Sequence, residues 1–166
     1  MTKPTEWCVL RGEWPTHAEQ REQAYKLLQQ LVGFFGTIGH DDAGAPCIEG
    51  RPDLHVSISH CRAAVAAAVS SEGAIGIDVE SRRRIGDGLM ERVCTPDEIY
   101  TIHNASDPTM QFLRFWTRKE AVLKMRRTGI KGFSSMLAAS AATDCVVEEI
   151  DCGDAEIVAS VAILKA

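Results

Sequence analysis

No uninterrupted apolar run in this chain is longer than the seven residues from Ala63 to Val69. A bilayer span needs about 20, so no transmembrane helix is expected. The first residues, Met1-Thr2-Lys3-Pro4-Thr5-Glu6-Trp7, lack the apolar segment and small-residue cleavage site of a secretory leader, and the expected location is the cytoplasm. Cysteine occurs six times, at Cys8, Cys47, Cys61, Cys94, Cys145 and Cys152, but never at a spacing closer than seven residues. There is thus no C-x-x-C pair for metal-thiolate chemistry, and the reading is reduced cysteines acting as small hydrophobes. His17, His40, His55, His60 and His103 show no metal-ligand spacing either.

With 166 residues, 45% of them apolar and 25% charged, the chain reads as one domain over residues 1–166. A chain of this size buries roughly 70% of its extended surface and needs no disulfide or metal to fold. The net charge of −5 argues against a nucleic-acid partner, but the charge is uneven. Residues 82–131 carry eleven basic and six acidic side chains, whereas both flanks are acidic. A basic segment inside an acidic protein is either a solvated face or a site for an acidic ligand.

Thr16-His17-Ala18-Glu19 has capping-box spacing and opens a helix with apolar residues at Ala24, Leu27, Leu28 and Leu31, ending near Gly33. Residues 36–52, rich in Gly, Asp and Pro, predict a loop. Three neighbouring strands are expected over Leu54–Ser59, Ala63–Val69 and Ile75–Val79. Thr95-Pro96-Asp97-Glu98, an N-cap, a Pro at N1 and a capping-box Glu, starts a short helix through about His103; a longer one follows Asp107-Pro108 to Arg127, with Gly129 as its C-cap. Two final strands, Cys145–Ile150 and Glu156–Leu164, flank a turn at Gly153. The mixture is α+β, in two loosely similar halves of about 1–70 and 71–166.

Three segments concentrate the chemistry. Along Gly76-Ile77-Asp78-Val79-Glu80 the strand alternation puts Asp78 and Glu80 on one face, about 7 Å apart at Cα. Two carboxylates this close repel unless a cation compensates, and oxygen-only ligands suit Mg²⁺; merely solvated acids are the plainer alternative. In Phe115-Trp116-Thr117-Arg118-Lys119-Glu120-Ala121-Val122-Leu123-Lys124, residues Trp116, Glu120 and Lys124 form one helical row. That row is either an ordinary Glu-to-Lys pair or part of a site for phosphate and its metal. The third segment is Ser57-Ile58-Ser59-His60, at a strand end.

In their order and spacing, from Gly44-Ala45-Pro46 through Ser59-His60 and G-I-D-x-E to W-x-x-K-E-x-x-x-K, these segments resemble the 4'-phosphopantetheinyl transferase superfamily, in its single-chain Sfp type. The resemblance covers about residues 44–132. It implies two similar α/β halves related by a pseudo-twofold axis, with coenzyme A in the cleft between them. The implied activity moves the phosphopantetheine arm of coenzyme A onto a serine of an acyl, peptidyl or aryl carrier protein and releases 3',5'-ADP. The protein is then expected to be a monomer with no membrane or nucleic-acid partner.

Carried over by position, Asp78, Glu80 and Glu120 would hold Mg²⁺. His60, Lys119 and Lys124 would meet phosphate oxygens, with Ser59 and Pro46 also at the coenzyme. One of these carboxylates, with Glu120 preferred, would take the serine proton, directly or through metal-bound water. Ala45 stands where the family often has a lysine; Arg51 is the candidate replacement, and Arg21 and Lys26 are the candidates for the 3'-phosphate. Arg82, Arg83 and Arg84, with Arg114 and Arg118, are expected to guide the acidic carrier. A relative without turnover, kept as a binding module, and a Mg²⁺-dependent phosphohydrolase on the same carboxylates are the rival readings.

Overall fold

The computed structural model describes residues 5–33, 36–129 and 131–165. Its first half runs β1 (Thr5–Arg11), α1 (His17–Val32), β2 (Ile38–His40), β3 (Pro46–Ile48), β4 (His55–His60) and β5 (Ala64–Ser70). The second runs β6 (Ile75–Ser81), α2 (Leu89–Val93), α3 (Pro96–His103), α4 (Pro108–Met125), α5 (Phe133–Ser140), β7 (Cys145–Ile150) and β8 (Ile157–Leu164). The α+β expectation holds. Among the described residues no helix is long and apolar enough to cross a membrane.

Both principal sheets are antiparallel and three-stranded, ordered β1-β5-β4 and β6-β8-β7. Each places its last strand in the centre and leaves its first strand through a helical connection. β5 is buried on both faces: Val65, Ala67 and Val69 pack under α1, while Ala64, Ala66 and Ala68 meet Ile75, Ile77 and Val79 of β6. That double burial is why its sequence is a continuous apolar run without alternation. A third apolar cluster, including Phe112, Leu113 and Met136, lies beneath α4.

The expected set of three neighbouring strands needs correction. β4 pairs with β5, but β6 heads the second sheet by pairing with β8. The junction between β4 and β6 is made by side chains: Ile77 N donates to Ser57 Oγ at 3.0 Å and Val79 N to Ser59 Oγ at 3.2 Å. Two serines thus satisfy edge amides that would otherwise lack partners.

Thr16 and Thr95 both form the capping boxes read from their spacing. The segment read as a loop contains the short β2–β3 hairpin. The long helix ends at Met125 with Arg126 as its C-cap, short of the expected end at Arg127. Arg127 adopts a left-handed backbone, φ 53°, and its guanidinium pairs with Asp41 and donates to the Pro46 carbonyl at 3.2 Å. This contact ties the end of α4 to the hairpin of the first half.

Candidate active site

α4 lies directly on β6 because residue 76 is glycine. A Cβ there would collide with the Ala121 carbonyl oxygen and the Met125 backbone. The close approach brings the acidic face of β6 against the Trp116, Glu120 and Lys124 row of α4, and the two together form one wall of a cleft of about 550 Å³. The opposite wall comes from the first half: Arg21 and Tyr25 of α1, Gly44 and Pro46 of the hairpin, and Ile58, Ser59 and His60 of β4.

Asp78 is 5% exposed. Its Oδ1 accepts from Ser59 Oγ at 2.8 Å and Lys124 Nζ at 2.7 Å, while its buried Oδ2 has no partner among the described residues. Ser59 is the hinge of this arrangement, since its oxygen receives Val79 N–H and its own proton is left for Asp78. Glu80 accepts from Arg83 Nε and Nη2 at 3.1 and 3.2 Å, and that guanidinium lies over the Trp116 ring, 5.7 Å from its centroid. Burial raises the Glu80 carboxyl above its usual range despite Arg83. Glu120 is pushed up to about 7, first by burial and then by the charges of Asp78 and Glu80, with Lys124 opposing.

Three carboxylates in one cleft, two of them holding protons more tightly than usual, and one buried oxygen without a partner make a donor set that suits a hard cation. Among the described residues no group of three or more His, Cys, Asp or Glu side chains is arranged to hold a metal ion. Lys124 and Arg83 occupy part of the carboxylate surface. A donor set of this kind fits Mg²⁺, which takes one or two carboxylates and completes its shell with water and ligand phosphates.

Of the residues read from the sequence, Pro46, Ser59, His60, Asp78, Glu80, Glu120 and Lys124 line this cleft. Lys119 does not. One residue before Glu120, it is turned about 100° around the helix, is 2% exposed, and donates to the Val93 carbonyl at 2.5 Å and Glu98 at 2.6 Å. Its place is a separate cavity of about 250 Å³ lined by α4, the end of α5 and β7. Arg51 also stays outside, with Nε and Nη2 bonded to Asp53 at 2.9 and 2.7 Å. Lys26 pairs with Glu22 on the exposed face of α1, whereas Arg21 reaches the cleft.

The basic run after β6 is divided. Arg82 is held between Asp107 and Glu156, Arg83 is spent on Glu80, and Arg114 pairs with Glu149. Arg84, its side chain 86% exposed, pairs loosely with Asp87 at 3.7 Å. Two residues absent from the sequence reading also belong to the site. Tyr25 sits one turn beyond Arg21. Gln20 is buried beneath His60, and its signal was a polar residue on the stripe that continues through Ala24, Leu27 and Leu28.

Residues 74–151 match the model of the 4'-phosphopantetheinyl transferase superfamily. A 4'-phosphopantetheinyl transferase of Bacillus subtilis is 32% identical over 111 residues, covering 65% of this chain and 47% of the relative. The psf-1 transferase of Bacillus pumilus is 32% identical over 114 residues, 67% of this chain and 46% of its own length. The HetI transferase of Nostoc is 29% identical over 136 residues, 72% of this chain and 56% of its own length. The chain spans about half the length of these relatives.

Proposed function

The chain belongs to the 4'-phosphopantetheinyl transferase superfamily, and from that premise we propose that it transfers the 4'-phosphopantetheine group of coenzyme A to a serine of an apo carrier protein. The observation that carries the reading is the meeting, in one cleft, of Asp78 with its unpartnered buried oxygen, Glu120 held near neutrality, and Lys124.

In this reading the serine hydroxyl oxygen bonds to the phosphorus that bears the pantetheine arm, the bond from that phosphorus to the bridging oxygen breaks, and 3',5'-ADP leaves. Such displacement depends on alignment and charge neutralisation more than on covalent help. Glu120 takes the serine proton; burial and the Asp78 charge give this carboxylate its affinity for a proton when no cation is bound. Lys124, fixed by Asp78 at 2.7 Å, sets a positive charge beside the phosphates. Trp116 walls the site and, with Glu80, keeps Arg83 at its edge. Asp78, Glu80 and Glu120 would hold Mg²⁺, which when bound neutralises pyrophosphate charge.

The shared strand order of the two sheets supports a single domain of two halves, about 1–70 and 71–166, related by a pseudo-twofold axis. A monomer in the cytoplasm, with no membrane or nucleic-acid partner, completes the proposal. Incubation with coenzyme A, Mg²⁺ and a panel of apo acyl, peptidyl and aryl carriers tests it by intact mass. The expected result is a gain of one phosphopantetheine group on a carrier. Coenzyme A binding without transfer, or hydrolysis of coenzyme A that needs no carrier, would overturn it.

A further inference from the structure

Gln20 is one of the few polar side chains buried in the protein, 6% exposed, on a helix position otherwise suited to an apolar residue. Its amide orientation is decided by a backbone acceptor. Nε2 donates to the Trp14 carbonyl at 2.9 Å, so Oε1 is the atom turned toward His60, with Nδ1 at 3.2 Å. An amide oxygen only accepts, and Nδ1 must therefore carry the hydrogen. Neutral His60 is thereby fixed as the Nδ1–H tautomer, leaving a lone pair on Nε2.

The ring lines the cleft and is held edge-on by His17, with centroids 5.8 Å apart. The groups facing it are His17 and Arg21 from α1, Lys124 from α4 and Asp78 from β6; Glu80 and Glu120 line the same cleft. Burial comes first, then the three basic groups, and together they outweigh Asp78 and hold His60 below the usual imidazole range. These effects favour the uncharged ring in the free protein. A lone pair on Nε2 repels a phosphate oxygen, whereas an N–H at that atom attracts one.

We propose that Gln20 is a positioning residue that makes His60 a proton-gated phosphate contact: a phosphate ester enters the cleft together with one proton from solvent, which goes to His60 Nε2. The identity of the ligand rests on the transferase reading; the tautomer and its consequence rest on the geometry. Gln20 needs no contact with the ligand to do this. It acts by denying Nδ1 any other role, so that Nε2 is the one ring nitrogen left to gain or lose a proton.

Two measurements test the inference. Nitrogen-15 NMR of the imidazoles in the free protein at pH 7.5 should show His60 as the Nδ1–H tautomer; the Nε2–H form would overturn the lock without recourse to any variant. Calorimetry of 3',5'-ADP binding, in buffers of different ionisation enthalpy, reads proton uptake directly. The wild-type protein should take up about one proton more than His60→Gln. Gln20→Glu places a carboxylate on Nδ1 and protonates the ring beforehand, so its uptake should fall to the His60→Gln level while binding persists at pH 8. Binding with equal uptake in wild type and His60→Gln, or unchanged uptake in Gln20→Glu, overturns the inference and leaves the transferase reading intact. Failure of the wild type to bind either 3',5'-ADP or coenzyme A overturns both.

Discussion

Replacing Glu120 by glutamine should stabilise the ligand-free protein at alkaline pH while destroying transfer. The folded protein holds this carboxyl at about 7 against an ordinary 4.5, so it binds the Glu120 proton more tightly than the unfolded chain does. Its contribution to stability is fully present below about 4.5 and is lost as pH rises through 7. The linkage is at most about 3 kcal/mol, and partial exposure reduces it to about 1–2 kcal/mol. For a chain of this size that corresponds to about 2–8 °C in Tm. Calorimetric melting in EDTA should therefore give Glu120→Gln and wild type the same Tm at pH 4.5, because glutamine mimics the protonated acid. At pH 8.5 the variant should melt higher by that amount. A variant that melts lower at pH 8.5, or a difference that does not change with pH, would refute the argument that burial and the neighbouring carboxylates hold this acid.

Lys124→Met should reduce transfer kcat by about 10²-fold or more, while Lys165→Met, whose exposed amine donates to the Thr143 carbonyl away from the cleft, should be silent; equal effects in steady-state assays would mean that the α4 row is only a solvated face. Lys119→Met should act on stability, by about 3 kcal/mol in urea melts, because it takes the ammonium from the half-buried Glu98, which keeps the Thr95 amide, and from the Val93 carbonyl. At temperatures where that variant stays folded its KM for coenzyme A should match wild type, and a KM rise would return Lys119 to the coenzyme. Arg84→Glu should raise KM for an acidic carrier at low salt more than at 1 M, where the Debye length is about 3 Å; a salt-independent effect would place the docking surface elsewhere.

Local rules captured the elements with strong local signals. Two capping boxes, at Thr16 and Thr95, and the alternation along β6 and β4 needed nothing beyond neighbouring residues. β2 and β3, three residues each, are too short for a period to show. Their hairpin turn is organised by Asp41, which caps the Ala43 and Ala45 amides and pairs with Arg127, 86 residues away. β1 was missed because its partner, β5, lies some 60 residues on.

The row of Trp116, Glu120 and Lys124 was legible because helical spacing alone puts them together. The same spacing turns Lys119 away from it, and the motif's two lysines serve different places. Arg82 looked free because Asp107 and Glu156 reach it only through the fold. Gln20 was overlooked for the opposite reason, as a polar residue whose partners, the Trp14 carbonyl and His60, are both set by tertiary packing.

The measurement that bears most directly on the cleft as the seat of transfer is the single-turnover rate of Asp78→Ala across a Mg²⁺ titration, with coenzyme A and an apo carrier accepted by the wild type. Removing Asp78 takes away the unpartnered oxygen and the anchor of Lys124 together. Folding is checked independently by circular dichroism. The wild-type rate should rise with Mg²⁺ and saturate, and the folded variant should show no transfer at any concentration. A near-normal rate for Asp78→Ala at millimolar Mg²⁺ would remove this carboxylate from the chemistry and contradict the account.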